Sequence, residues 1–371
     1  MILLSIILIL IVIHYSFLLN KIASNIVIAP IDKSDAKTKN KISIIIPFRN
    51  EADQLNETIL SLLGLDYDKD YFEVLFINDH SNDNFIDVID AFAAINNFHL
   101  INNSGEGKKS AIETGISLAK YDWILSSDAD CIFDSRWLNS CNYLINAKPS
   151  DLFILPVYSQ AGNSIVSKFQ YYDSLSILGI NMGFYNWRKR VLLGSGANLL
   201  YKKSKFEEAN PFNNNKKIHS GDDMFILQEF KRLKFNICLN FNKGLWVKTK
   251  NNPTWIKTID QRIRWVKKMG SLDRNEAFFL GLYFFLIQCV LILNLILALV
   301  FNYMWFVFLF LITLKAFYDA KLMRKTAQLN KLEIRFFDIF YLEIIYMLFV
   351  PLLLIVSIFR NPKWKERKIS S

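Results

Sequence analysis

Four acidic clusters in this 371-residue chain stand where chemistry is possible. Asp128-Ala129-Asp130 follows the apolar run Trp123 to Ser126, and Asn78-Asp79-His80 follows Val74 to Ile77. Glu51 closes a polar stretch after Ile42 to Ile46, and Asp222-Asp223 ends His219-Ser220-Gly221-Asp222-Asp223 just before a helical pattern. In extended backbone, residues i and i+2 face the same way, so Asp128 and Asp130 can bring oxygens to one hard divalent cation. Such a cation takes one or two carboxylates and fills its shell with water and phosphate oxygens, which suits neutralising a diphosphate as it leaves. A solvated turn is the plain alternative, since Asp is common in loops. Asp222 or Asp223 can accept the proton of an attacking hydroxyl as general base, or cap the helix that starts near Met224.

These residues need elements to hold them. The runs named above, with Leu152 to Pro156, are short, bounded by polar clusters and rich in Ile, Val, Leu or Phe, as buried strands are. Helical periodicity lies between them, at Leu55, Ile59, Leu62 and Leu63 and again at Ile112, Ile116 and Ala119. Alternation of this kind predicts an α/β domain over 41–270, with a mostly parallel sheet covered on both faces. Ligands of such sheets bind beyond the carboxyl ends of the strands, where the acids stand.

Apolar residues make up 52% of the chain, and its net charge is +10. Lys and Arg crowd beside apolar segments, as expected where a chain meets anionic head groups. With no zinc-finger, helix-turn-helix or RNP pattern, nucleic acid is not an expected partner. Cys131, Cys141, Cys238 and Cys289 lack disulfide-framework or zinc spacing and read as free thiols. Residues 1–20 are apolar enough for an uncleaved transmembrane anchor; basic residues follow this run instead of preceding it, which argues against a signal peptide. A basic linker, 21–40, leads into the α/β domain. Two transmembrane helices are expected over 277–318, with a hairpin tip at Phe301, Asn302 and Tyr303, followed by a basic loop at 319–335. A third membrane segment, 336–359, contains Asp338, Glu343 and Pro351 and is flanked by basic residues on both sides, so spanning and re-entrant arrangements both stay open. A basic tail, 360–371, ends the chain. The charge pattern predicts an integral membrane protein with its α/β domain in the cytoplasm.

From Lys41 to about Lys268 the chain resembles the family 2 glycosyltransferases, inverting enzymes of the GT-A (Rossmann-like) fold. The resemblance rests on IIIPFRNE at Ile44 to Glu51, FINDHSND at Phe76 to Asp83, EGKKSAIETG at Glu106 to Gly115 and LSSDAD at Leu125 to Asp130. It continues through SGANLLYKK at Ser195 to Lys203, SGDD at Ser220 to Asp223 and QRIRW at Gln261 to Trp265. Order and spacing carry it, and QRIRW points to the branch with the cellulose, chitin and hyaluronan synthases. It implies a nucleotide-sugar donor, most simply a UDP-sugar, a lipid or glycan acceptor, and Mg2+ or Mn2+. By matching position, Glu51, Asp79 and Lys108 would hold the nucleotide, Asp128 the nucleotide or sugar, and Asp130 the metal with Asp128. Asp223 would be the general base with Asp222 beside it, although SGDD departs from the commoner TED spelling. Gln261 and Arg264 would address the diphosphate and Trp265 the acceptor. A planar guanidinium suits a phosphate and an indole the apolar face of a sugar. The other basic residues here, Arg262, Lys267 and Lys268, read as contacts to lipid phosphates. His80 and His219 lack ligand spacing and read as ordinary hydrogen-bonding residues.

Overall fold

The computed structural model describes residues 2–28, 38–92, 94–215, 221–270, 276–360, 363–364 and 367–368. His219, Ser220, much of the basic linker and most of the tail lie outside the described residues. The chain divides into two compact units. One holds Ile28–Gln160, Leu193–Asn251 and Lys363–Ser371, and the other Met1–Val27, Ala161–Leu192 and Asn252–Pro362.

The first unit is α/β. Its seven-stranded sheet is built on β1 (Ile42–Phe48), β2 (Phe72–Asn78), β3 (Phe98–Asn102) and β4 (Trp123–Ser126), which run parallel in the order β3-β2-β1-β4. The sheet continues through β8 (Leu199–Lys202), antiparallel to both neighbours, to β6 (Leu152–Ile154) and β9 (Ile237–Leu239). Every residue of β1 and β2 is buried and most are apolar, as expected for a sheet covered on both faces, while buried Ser43 donates its hydroxyl to Glu73 of the neighbouring strand at 2.6 Å. Helices α2 (Ala52–Leu63), α4 (Lys108–Leu118) and α5 (Trp137–Ala147) supply Leu55, Ile59, Ile112 and Leu138 to the buried interior. The shorter α3 (Phe85–Asp90) and α7 (Lys203–Ala209), with α8 (Asp222–Arg232), complete the cover. A second sheet, in the order β5-β10-β7, joins β5 (Cys131–Ile132), β10 (Val247–Thr249) and β7 (Val157–Ser159). It sets Thr249 opposite Cys131, one residue from Asp130.

The second unit is helical: α1 (Ile2–Ser24), α6 (Ile165–Arg188), α9 (Trp255–Gly270), α10 (Glu276–Val300), α11 (Met304–Gln328) and α12 (Phe336–Phe359). By length and composition, α1, α10 and α12 could each cross a membrane. The expected domain limits shift in three places. Residues 161–192 and 252–270 belong to the helical unit and not to the α/β unit. The expected loop at 319–335 is helical as far as Gln328, because Leu322, Met323 and Ala327 keep a buried stripe going while Arg324 stays exposed. Segment 336–359 is one continuous helix through Pro351. Residues 301–303 join α10, which ends at Val300, to α11, which starts at Met304.

The apolar look of these helices hides a polar interior. Ser5, Ser16, Gln288, Asn294, Lys315, Asp319 and Glu343 are all buried. The Lys315 ammonium pairs with Asp319 at 2.5 Å and with Glu343, and the Tyr15 hydroxyl donates to Asp319.

Candidate active site

The strand ends place the acids. Parallel pairing of β1 with β2 and β4 continues past the strands through Asp79 N–H to Phe48 O, 2.9 Å, and Ser127 N–H to Ile45 O, 3.0 Å. Asp79, Asp128 and the loop after β1 therefore emerge at the same sheet edge, the carboxyl ends of the parallel strands.

Asp79 is only 1% exposed. Its Oδ1 accepts from Asn103 Nδ2 at 2.8 Å and from the backbone N–H of Gly107 at 2.9 Å. Gly107 precedes α4 with φ of 90°, a left-handed conformation that favours glycine. Asp79 thus fixes the turn that presents Lys108 as the first residue of α4. Arg49 donates from Nη1 to the carbonyls of Asp79 and His80, each at 2.7 Å, tying the loop after β1 to the loop after β2. His80 makes an ordinary hydrogen bond with Gly105 O at 2.8 Å. Glu51 precedes α2 and accepts from Gln54 Nε2 at 3.0 Å.

Lys108 is the hub. Its ammonium lies 2.6 Å from Asp128 Oδ1 and 3.2 Å from Asp222 Oδ2. Burial works against the charge, but the two carboxylates outweigh it and raise the lysine above its ordinary value. Two motifs far apart in sequence are thereby joined. Gly196 permits the approach: a Cβ there would stand 2.4 Å from Asp222 Oδ2 and 3.1 Å from Lys108 Nζ. Asp222 is buried in the first turn of α8, where a carboxylate also complements the helix dipole. Asp223, beside it, is less buried, and its Oδ1 accepts from the backbone N–H of Met224 at 2.8 Å. The residue at the N-cap position is Gly221, so neither aspartate is the cap, yet both lie in the first turn.

Asp130 accepts from the Thr249 hydroxyl at 3.0 Å. Its carboxyl is pushed up to about 6 by burial and by the nearby charges of Asp128 and Glu51. Among the described residues, no group of three or more His, Cys, Asp and Glu is placed to hold a metal. The carboxylates expected from the sequence at a cation are two, those of Asp128 and Asp130, and here Asp128 is paired with Lys108. That number suits Mg2+ or Mn2+ completed by diphosphate oxygens, and accumulated negative charge is what a cation relieves.

Gln261, Arg264 and Trp265 lie on α9, in the helical unit. Gln261 Oε1 accepts from Asn252 Nδ2 at 3.0 Å, and Trp265 is 41% exposed. Burial lowers the Arg264 guanidinium from its ordinary value against the pull of Asp260. Arg262 departs from the expectation of a lipid-phosphate contact. It is buried, paired with Asp173, and stacked on Trp265 with its guanidinium carbon 3.9 Å from the ring centre.

Sequence reasoning missed Asn103, Thr249 and Lys109. Asn103 sits in a turn-rich Asn-Asn-Ser-Gly stretch, which gave a weak signal, whereas Thr249 is placed only by strand pairing. Lys109, 7% exposed, hydrogen-bonds the carbonyl of Asn215 at 2.9 Å and lies 4.0 Å from the centre of the Phe225 ring, so it anchors chain on both sides of Asp222-Asp223.

The chain is 27% identical over 201 residues to the poly-beta-1,6-N-acetyl-D-glucosamine synthase of Staphylococcus epidermidis, covering 53% of this chain and 47% of that protein. With the synthase of the same name from Staphylococcus aureus (strain MSSA476) it shares 29% identity over 168 residues, 44% of this chain and 40% of the other. The matches thus span less than half the length of these relatives. Among solved structures, the mannosyltransferase PcManGT from Pyrobaculum calidifontis, in complex with GDP-Man and Mn2+, superposes with a TM-score of 0.56 at 15% identity, over 88% of this chain and 97% of that one. That likeness supports the GT-A fold. Residues 43–209 match the family described as Glycosyl transferase family 2, and the chain carries a domain of that family.

Proposed function

We propose that this protein is a membrane-bound inverting glycosyltransferase that moves a sugar from a nucleotide diphosphate donor, a UDP-sugar, to a lipid or lipid-linked glycan. The observation that carries this reading is the joining of Asp128 and Asp222 through Lys108 at the carboxyl ends of a parallel sheet. Such a cluster offers a cation for diphosphate oxygens, carboxylates for a metal, and a base. In this reading Glu51, Asp79 and Lys108 address the nucleotide, and Asp128 and Asp130 would hold Mg2+ or Mn2+. The metal would neutralise the diphosphate as it departs. Gln261 and Arg264 bind the diphosphate and Trp265 packs on the acceptor.

Asp223 takes the proton of the acceptor hydroxyl as the oxygen bonds to the anomeric carbon. The bond from that carbon to the diphosphate oxygen breaks, and the nucleoside diphosphate leaves with the electron pair. Inversion follows because attack and departure are on opposite faces of the sugar.

The test is incubation of enriched membranes with a panel of nucleotide-sugars, then mass spectrometry of the lipid fraction. A sugar-bearing lipid formed with UDP-sugars and lost in EDTA is the expected result; turnover undiminished in EDTA overturns the metal assignment. The α/β unit is proposed to face the cytoplasm, where protease added outside intact cells spares it; cleavage within residues 41–160 under those conditions overturns that topology.

A second reading, polysaccharide synthesis, is favoured by the similarity to poly-beta-1,6-N-acetyl-D-glucosamine synthases. Product sizing with a labelled donor separates the two. A high-molecular-weight product degraded by a specific glycanase selects the polymer.

A further inference from the structure

The QRIRW residues of α9 are held by two polar side chains of α6 that no sequence motif marks. Gln170 and Asp173 are three residues apart, so they share a face of that helix, and both are buried. Gln170 Oε1 accepts from the backbone N–H of Asn252 at 2.9 Å and from its Nδ2 at 3.2 Å, while Gln170 Nε2 donates to Asn252 O at 3.0 Å. The same Asn252 Nδ2 donates to Gln261 Oε1 at 3.0 Å. One turn along, Asp173 accepts from Arg262 Nη2, and the central carbon of the Arg262 guanidinium lies over the Trp265 ring, 3.9 Å from its centre.

The two chains of contact diverge. Gln170 acts through Asn252 on Gln261, and Asp173 acts through Arg262 on Trp265. In both, a side chain that must stay outside the folded interior to do its work is oriented by one that is buried. Burial raises the Asp173 carboxyl, and Arg262 with the Tyr346 hydroxyl opposes the rise. Gln261 has its amide oxygen committed to Asn252, which points its amide N–H groups elsewhere, as donation to a phosphate requires.

We propose that Gln170 and Asp173 are positioning residues with separate duties, Gln170 orienting Gln261 toward the donor diphosphate and Asp173 orienting Trp265 toward the acceptor. This rests on the glycosyltransfer reading and on the roles it gives Gln261 and Trp265.

The experiment uses full-length protein in detergent, with UDP affinity measured by calorimetry and acceptor KM and kcat by transfer. Loss of one buried hydrogen-bonded partner is expected to cost about tenfold, so Gln170→Leu weakens UDP binding about tenfold with acceptor KM within about twofold of wild type. Asp173→Asn does the reverse: acceptor KM rises about tenfold while UDP affinity holds. Arg262→Lys, which keeps the charge but loses the planar stack, follows Asp173→Asn. A purely structural role for α6 would move both constants in both variants, and that result overturns the proposal. So does wild-type UDP affinity in Gln170→Leu, a measurement that needs no acceptor. Wild-type protein that binds no nucleotide overturns the glycosyltransfer reading and this inference with it, and so is distinguishable from failure of the positioning alone.

Discussion

In the α/β unit, polar groups stand at the ends of apolar strands; in the helical unit, they are set singly into apolar helices. Asp79 and Asp128 each follow a run of buried strand residues, and each contacts a residue on another element. Lys315, Asp319 and Glu343 interrupt helical segments that otherwise suit lipid, and they satisfy one another inside. The first arrangement leaves the Asp128 carboxylate at an open edge where a ligand can reach it, with buried Asp79 holding the turn behind it. The second seals its charges, and in hydrocarbon-like surroundings a sealed charge must carry its own partner. The same residue types are therefore chemistry in one unit and architecture in the other.

The comparison breaks if acids at the sheet edge prove structural. Asp223→Asn is expected to lower transfer by about 10²–10⁴-fold with donor binding and thermal stability near wild type, as for a general base. Asp222→Asn alters the contact with Lys108 and is expected to act chiefly on donor affinity. Steady-state kinetics with calorimetric UDP binding checks both. If Asp222→Asn is the more damaging in kcat, the base is Asp222 and the reading of SGDD is displaced by one residue.

Asp130→Asn is expected to lower transfer by about 10²–10³-fold, the loss of several kcal/mol of charge stabilisation at the diphosphate. It should also make donor binding insensitive to added Mg2+ or Mn2+, which titration calorimetry reads directly. Retained metal-dependent binding would remove Asp130 from the cation site.

For the helical unit the expected signature is the opposite. Lys315→Met leaves two carboxylates buried without their cation, and loss of one partner from such a group destabilises by about 3–5 kcal/mol. Lower thermal stability in detergent, with UDP affinity of the surviving folded protein unchanged, is the outcome that keeps the two units distinct. Replacing Lys315, Asp319 and Glu343 together by apolar residues of similar volume should recover most of that stability. A triple variant with stability intact but transfer lost would show that these charges do more than hold the helices together.

The difference between the units also explains what could be read from sequence. A strand ends where its apolar run ends, so β1, β2, β4 and β6 and the acids after three of them were legible. The short strands β5, β7, β9 and β10 were not, since each has two or three residues and gains its identity only from pairing. Among the helices, hydropathy averages over a window and cannot say which residues face inward. Arg262 therefore looked like a surface cation and is a buried one, and Lys321, Arg324 and Lys325 looked like a loop and continue α11. The contacts of Lys108 with Asp128 and Asp222 come from positions 20 and 114 residues along the chain, separations that no local pattern encodes.

The smallest effect concerns Lys109, an ammonium buried beside the open cluster. Burial lowers it to about 8 against the pull of Asp222 and Glu113. An unfolded chain keeps that proton until about 10.4, so between these pH values the unfolded state binds more protons than the folded one. Stability contributed by this group therefore rises as pH increases from about 8 to about 10, by up to about 3 kcal/mol if the whole shift is realised. Lys109→Met lacks the titration. The difference in thermal stability between wild type and Lys109→Met should move in favour of wild type across that interval, while other groups titrate alike in both and cancel. A difference that stays flat, or moves the other way, would mean that Lys109 keeps its proton through its contacts with Asn215 and the Phe225 ring, and so belongs with the sealed charges of the helical unit.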